Sequence, residues 1–249
     1  MEQDEKRQLA PWMVEKIPAA QCAVAADPLP RTRPVEGSWL TVDGAYGGQI
    51  ALKTRLMAER RAAVFWDAAA SETALEALDR TLLTACQADG RFAVSGRRVT
   101  CPDGRIVDIA GLSDWAKVLQ EDLVLIEKRG AAHCLTAALL CFPASWMLSE
   151  KAGRSLGAIH GPVADYTDQI GRRVDRLFDG VREGQPIWRA NRLAYDDPAL
   201  HQPRAESDPA RELSGAGRWD RSERQTILRL PQTTAVLFAI HTAVAPKDP

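Results

Sequence analysis

Few residues in this chain can do acid–base or metal chemistry, so each can be weighed in its own setting. The histidines are His133, His160, His201 and His241. His160 stands between Ile159 and Gly161-Pro162, just ahead of an amphipathic segment. Gly161 has no side chain to block a flat ligand, and Pro162 fixes the local backbone. Imidazole is a good ligand for haem iron. Spacing alone still favours a structural or hydrogen-bonding role, because no second His or carboxylate stands at zinc-ligand spacing from it. His133 opens a strand of buried character and is expected to be satisfied structurally. His201 lies in a proline-flanked polar loop, where a solvated role is the default. His241 is out of phase with Ile240 on the last strand and is expected to face solvent.

The cysteines are Cys22, Cys86, Cys101, Cys134 and Cys141. Their number is odd and no pair has C-x-x-C spacing, which argues against a disulfide framework, a zinc ribbon and a thioredoxin motif. Cys141, in Leu139-Leu140-Cys141-Phe142-Pro143, is apolar on both sides and reads as a small hydrophobe rather than a thiolate ligand. Arg221, Arg224 and Arg229 cluster with Glu223 and Gln225. In strict alternation Glu223, Gln225 and Ile227 point one way, and Arg224, Thr226 and Leu228 the other. Two readings stay open: an exposed edge laced with salt bridges, or guanidinium forks that bind carboxylates such as propionates.

The elements that must position these groups follow from period and punctuation. Residues 1–48 read as an extended arm, since Pro11, Pro18, Pro28, Pro30 and Pro34 interrupt helix and sheet. Trp12, Ile17 and Trp39 could pin it to the body, taken as one domain over 49–249. Ile50 to Asp67 predicts a helix. Ser71 is an N-cap before Leu75, Leu78, Leu82 and Cys86 at helical spacing, and Gly90 closes that helix. Short strands follow at 92–94, 97–101 and 105–109, the last two joined by the turn Pro102-Asp103-Gly104. Ser113 is expected to cap a short helix carrying Trp115. Longer strands are expected at 122–128 and 132–142, joined by a short hairpin link. A helix at 165–179 carries Tyr166, Ile170, Val174, Leu177 and Phe178 on one stripe. Strands at 187–195, 223–230 and 234–243 close the chain. Strands in hairpin-compatible pairs with helices between groups argue an α+β fold with an antiparallel sheet, not a βαβ alternation.

Composition bounds the function classes. The chain has 249 residues, 45% hydrophobic and 26% charged, with a formal net charge of -1. That is ordinary globular composition, with no long-range attraction for nucleic acid or an anionic membrane. Gly130 to Ser149 carries no formal charge and approaches the length of a membrane span. It is broken by His133, Pro143 and Ser145, however, and reads as a buried strand running into a loop. The charged start, Met1 to Gln8, has no apolar run behind it. With cysteines that look reduced, it points to a cytoplasmic protein. No G-x-G-x-x-G or Walker A loop is present, so a nucleotide fold has no support.

Several short strings in fixed order carry a resemblance. They are Cys141-Phe142-Pro143-Ala144-Ser145-Trp146, Glu150-Lys151-x-Gly153 and Leu156-x-x-Ile159-His160-x-Pro162-Val163. Then come Trp188-Arg189-Ala190-Asn191, Asp197-Pro198-x-Leu200-His201-x-Pro203 and Arg221-Ser222-Glu223-Arg224-Gln225-Thr226 with Leu230-Pro231. In this order they resemble the haem-dependent oxidative N-demethylase-like family, over roughly residues 39–242.

The resemblance implies a haem b domain of PAS-like fold, an antiparallel sheet flanked by helices. It implies that His160 is the axial, metal-binding ligand. Glu223 and Arg224 become candidates for the distal pocket or the haem propionates, with Tyr166 a further catalytic candidate. Arg189 and Asn191 join His160 and Arg224 as cofactor-binding candidates. The implied activity is a monooxygenase-type oxidation of a small methylated secondary amine with dioxygen. The amine becomes an imine, and hydrolysis releases formaldehyde. Electrons would come from partner flavin and NADPH-using subunits; a homo-oligomer is left open. The alternative is a haem or small-ligand sensor or carrier without turnover.

Overall fold

The computed structural model describes residues 9–27, 31–160, 168–209 and 217–247, the side chains of residues 160 and 168–170 excepted. Among these the chain forms, in order, α1 (Ala19–Ala25), β1 (Arg33–Pro34), α2 (Tyr46–Glu59), α3 (Arg61–Val64), β2 (Phe65–Trp66) and α4 (Glu72–Asp89). Then come β3 (Ala93–Ser95), β4 (Arg98–Thr100), β5 (Ile106–Asp108), a 3-10 helix (Leu112–Lys117), β6 (Asp122–Arg129) and β7 (Ala132–Leu139). The last are α5 (Leu148–Lys151), α6 (Leu156–His160), α7 (Asp168–Gly180), β8 (Ile187–Tyr195), β9 (Trp219–Arg229) and β10 (Val236–Pro246).

The punctuation read from sequence does the expected work at several ends. Ser71 accepts a hydrogen bond from Ala74 N, and Gly90 takes the left-handed conformation that ends α4. Gly104, with φ of 82°, closes the turn between β4 and β5. Elsewhere the structure differs. The arm is not extended throughout, because residues 19–27 are free of proline and Pro18 sits at the N-cap of α1, where no N–H is needed. The helix expected over 50–67 starts at Tyr46, breaks at Arg60 and ends in strand β2. Gly111, not Ser113, stands at the start of the 3-10 helix.

The large sheet has seven strands in the order β1-β8-β9-β10-β6-β7-β2, and every pairing is antiparallel. β3, β4 and β5 form a separate antiparallel sheet. The α+β reading therefore holds at the level of an antiparallel sheet with helices. The uncharged stretch 130–149 is mostly the β6–β7 hairpin and β7 itself. No helix among the described residues is long and apolar enough to cross a membrane.

Each face of the sheet buries its own cluster. Leu123, Leu125, Leu139, Leu228 and Leu237 pack with α2, α4 and Trp115 of the 3-10 helix. Val124, Ile126, Ala138, Ile227 and Ile240 pack with Leu148 of α5, Leu156 of α6 and Phe178 of α7. Adjacent residues of one strand feed opposite layers, as the period of two requires. α7 shows a partial form of the expected stripe. Phe178 is buried, Val174 and Leu177 are half-buried, and Tyr166 and Ile170 lie outside the described side chains. Phe178→Ala should therefore cost about 3–5 kcal/mol in denaturant unfolding, and Leu177→Ala less, because its site already meets solvent. Equal costs at the two positions would contradict this packing.

The arm is tied to the body by backbone. Val14 N donates to Val244 O, and Gln49 Nε2 donates to Trp12 O and Thr242 O. A Cβ on Gly48 would lie 2.1 Å from Pro11 O, so only glycine lets the arm cross α2 there.

Candidate functional site

β8 and β9 pair with Arg189 opposite Gln225 and Asn191 opposite Glu223. Opposed residues share a face, so these four side chains stand together. They form a continuous hydrogen-bonded set. Asn191 Nδ2 and Gln225 Nε2 donate to Glu223 Oε2 at 3.2 and 3.0 Å, and Glu223 N donates to Asn191 Oδ1 at 2.9 Å. Arg189 Nε donates to Gln225 Oε1 at 2.7 Å. Gln225 thus relays between the guanidinium and the carboxylate. Burial pushes the Arg189 guanidinium below its usual range, while the Glu223 charge pulls it back. Arg189 has no ion-pair partner within 4 Å among the described residues.

Ile187 and Ile227 extend this face into the cluster that packs under α6 and α7. Between α7 and the start of β8 the surface opens into a cleft of ≈ 540 Å³, lined by Val35, Leu177, Val181 and Ile187 with Arg176 and Arg182 at its mouth. Ile187 lines this cleft two residues before Arg189 on the same face of β8, while the four polar residues do not line it.

Arg221 is buried on the same face and joins three segments. Its Nη2 donates to Phe142 O at 2.8 Å and its Nη1 to Leu200 O at 3.0 Å, while its Nε lies 3.8 Å from Glu223 Oε1. The Tyr195 ring stacks beside it, 5.8 Å from the guanidinium carbon. Sequence reasoning placed Arg221 only in a basic cluster; its odd-numbered phase with Glu223 was the signal for its role as a clamp.

Arg224 stands apart from this set. Its side chain leaves β9 on the opposite face, as alternation with Glu223 demands. There Nη1 donates to Trp39 O at 3.2 Å, and the guanidinium lies over Trp188, 5.1 Å from the ring centroid. It forms no ion pair with Glu223, and among the described residues none with any carboxylate. Burial lowers it from its ordinary value, with Glu121 opposing. Arg224 belongs to the layer under the arm, not to the Glu223 set. Arg229 also leaves the basic cluster: it donates to Phe178 O at 2.6 Å and Val181 O at 3.2 Å, which caps the end of α7.

The histidines separate clearly. His133 faces Asp175 through Nδ1 at 3.1 Å and Asp179 through Nε2 at 3.5 Å, the structural role expected of it. His241 is not solvent-facing; it is buried, with Nε2 3.3 Å from Asp43 Oδ2 and 3.4 Å from Gln120 Nε2, because α2 and the Gln120 segment cover that side of β10. Burial would raise the Asp43 carboxyl, but the bond and charge of His241, with Gln120 and Ala45 N, bring it below the ordinary carboxylate range. His201 is not solvated either. Its Nδ1 lies 2.8 Å from Cys141 O, in a loop held against Pro143 and Ser145 by backbone hydrogen bonds of Gln202. His160 closes α6, and its side chain lies outside the described set, as does Tyr166 entirely. Burial pushes the Cys141 thiol up, which keeps it protonated and unsuited to ligation. Among the described residues no group of three or more His, Cys, Asp or Glu is arranged to hold a metal ion.

Residues 33–248 match a family model described as haem-dependent oxidative N-demethylase, alpha subunit-like. No curated protein matches the chain.

Proposed function

For a chain that belongs to the haem-dependent oxidative N-demethylase alpha subunit-like family, we propose a haem b site of PAS-like architecture between α6–α7 and the β8–β9 face. A small secondary amine would be demethylated there with dioxygen, releasing formaldehyde. The observation that carries this reading is the Arg189–Gln225–Glu223–Asn191 set, on the β8–β9 face that continues through Ile187 and Ile227 into the apolar cluster under α6, which ends at His160, and α7.

The residues present fit the group. Arg189 offers a guanidinium without a described carboxylate partner, the donor that a propionate takes. Asn191 fixes the Glu223 carboxylate and stands beside it as a further donor. His160 is the residue that would hold the haem iron, and Glu223 and Tyr166 are the proposed catalytic groups. Arg224 lies on the opposite face of the sheet, at Trp39 O and the Trp188 ring, and is not one of the four residues of the Arg189–Gln225–Glu223–Asn191 set.

Bound haem supplies the oxidising chemistry with dioxygen. The chain's own groups bind, orient and hold protons. The Glu223 carboxylate would attract the ammonium form of an amine and accept its N–H. Gln225 and Asn191 hold that carboxylate in one rotamer, so little reorganisation remains when the amine arrives. The apolar cluster under α7 excludes water from the far side. Electrons come from partner subunits carrying flavin and NADPH sites, because the chain has no nucleotide motif of its own.

The test is oxygen consumption by the haem-loaded protein with a reductant and a panel of N-methylated secondary amines, formaldehyde being measured in parallel. Equal molar oxygen uptake and formaldehyde release support the reading. Haem binding without amine-dependent uptake would mark a sensor or carrier instead.

A further inference from the structure

We propose that the cleft between α7 and the start of β8 is a binding site of its own for a small organic carboxylate. The apolar body of that ligand lies inside, and its carboxylate sits at the mouth between Arg176 and Arg182. The site does not rest on the haem reading, since Arg189, Asn191, Glu223 and Gln225 lie outside its lining.

The walls are held by backbone. On one side β1 pairs with β8, Pro34 opposite Ile187, and Val35 N donates to Pro186 O at 2.9 Å. On the other is the end of α7, where Leu177 and the following Val181 share one side and Val181 N donates to Leu177 O at 3.1 Å. A turn joins the two walls, with Gln185 N donating to Arg182 O at 3.2 Å and Gly184 at a φ of 72°. The space between them, ≈ 540 Å³, falls within the roughly 300–1,000 Å³ of small-molecule pockets, and its apolar walls are formed before any ligand arrives.

The charge around this space is one-sided. Asp175 and Asp179 of α7 turn away to His133 and Lys128, at 3.1 and 2.6 Å, and Glu183 accepts from Gln232 N at 3.3 Å. Among the described residues no carboxylate lines the cleft, and the exposed Arg176 and Arg182 side chains have no ion pair. The free carbonyls of a helix C-terminus would repel an anion. Here Arg229 donates to Phe178 O at 2.6 Å, Val181 O at 3.2 Å and Asp179 O at 3.3 Å, which offsets that repulsion. Two guanidinium forks beside an apolar hollow select a ligand with one anionic end and an apolar body.

The experiment is isothermal titration calorimetry with phenylbutyrate and its uncharged analogue phenylbutanol, before and after the protein is loaded with haemin. One phenylbutyrate should bind per chain, about tenfold or more tightly than the alcohol, the worth of a charge-assisted hydrogen bond. Joint Arg176→Gln and Arg182→Gln should erase that preference and leave alcohol binding unchanged. Joint Arg172→Gln and Arg173→Gln, on α7 but outside the lining, should keep it. Val35→Trp should fill the hollow and abolish binding of both compounds, with circular dichroism confirming the fold. Haemin loading should change none of this. Absence of phenylbutyrate binding, equal affinity for the alcohol, a preference that survives at Arg176 and Arg182 or is lost equally at Arg172 and Arg173, or wild-type binding in Val35→Trp overturns the proposal. Displacement by haemin overturns it too, by making the cleft part of the haem site. A protein that takes up no haemin yet binds phenylbutyrate as described overturns the haem reading alone.

Discussion

Lys53→Met is expected to destabilise the protein by about 3–5 kcal/mol in urea unfolding, among the largest single-residue effects outside the apolar core. Lys53 lies on α2 with a fully buried side chain, 3.1 Å from Asp122 Oδ1. Its ammonium also donates to Gln120 O at 3.2 Å and to Glu121 O. Removing it strands the Asp122 charge at about 1% exposure, with only Phe142 N, at 2.7 Å from Oδ2, to satisfy it. A buried unpaired carboxylate is costly in a way that a buried ion pair is not. Joint replacement of Lys53 and Asp122 by apolar residues should recover much of the loss, apart from the bond to Phe142 N. Full stability in Lys53→Met would show that the pair is not a closed one.

Glu223→Gln is expected to lower amine turnover about 10²–10⁴-fold, the range for removing a positioned proton-handling group. The amide keeps the size of the side chain, so the sheet and the apolar cluster should remain. It removes the charge that would attract an ammonium, and it leaves Arg189 without the carboxylate that offsets its burial. Haem uptake and far-ultraviolet circular dichroism should stay at wild-type values while kcat falls. Asn191→Ala should give a smaller fall, since Gln225 still holds Glu223. Unchanged kcat in Glu223→Gln would assign the carboxylate a purely structural role.

Local signals in the sequence were strong wherever one residue decides an end or a phase. Ser71 and Gly90 bound α4, Gly104 turns the β4–β5 hairpin, and β8 spans Ile187–Tyr195 as its pattern predicts. Alternation alone places Glu223 with Gln225 and opposite Arg224. Pairing across strands was not legible, because register depends on partners distant in the chain. That is why the Arg189–Gln225 and Asn191–Glu223 contacts emerge only from the fold. Long-range covering misled the histidine readings. His241 looked exposed by phase, yet both sheet faces are covered. His201 sat in a polar loop, yet that loop folds onto Cys141–Ser145. Lys53 gave no sequence signal, since a lone lysine in an amphipathic helix reads as solvated.

The central claim is a haem site formed by His160 with the β8–β9 face, and haemin titration of the purified protein tests it most directly. The wild type should bind one equivalent with a shifted Soret band. His160→Ala should lose stoichiometric uptake or shift the band strongly while keeping wild-type sheet content by circular dichroism, and His133→Ala should leave the spectrum unchanged. No Soret shift in the wild type, or a wild-type spectrum in His160→Ala, would contradict the account.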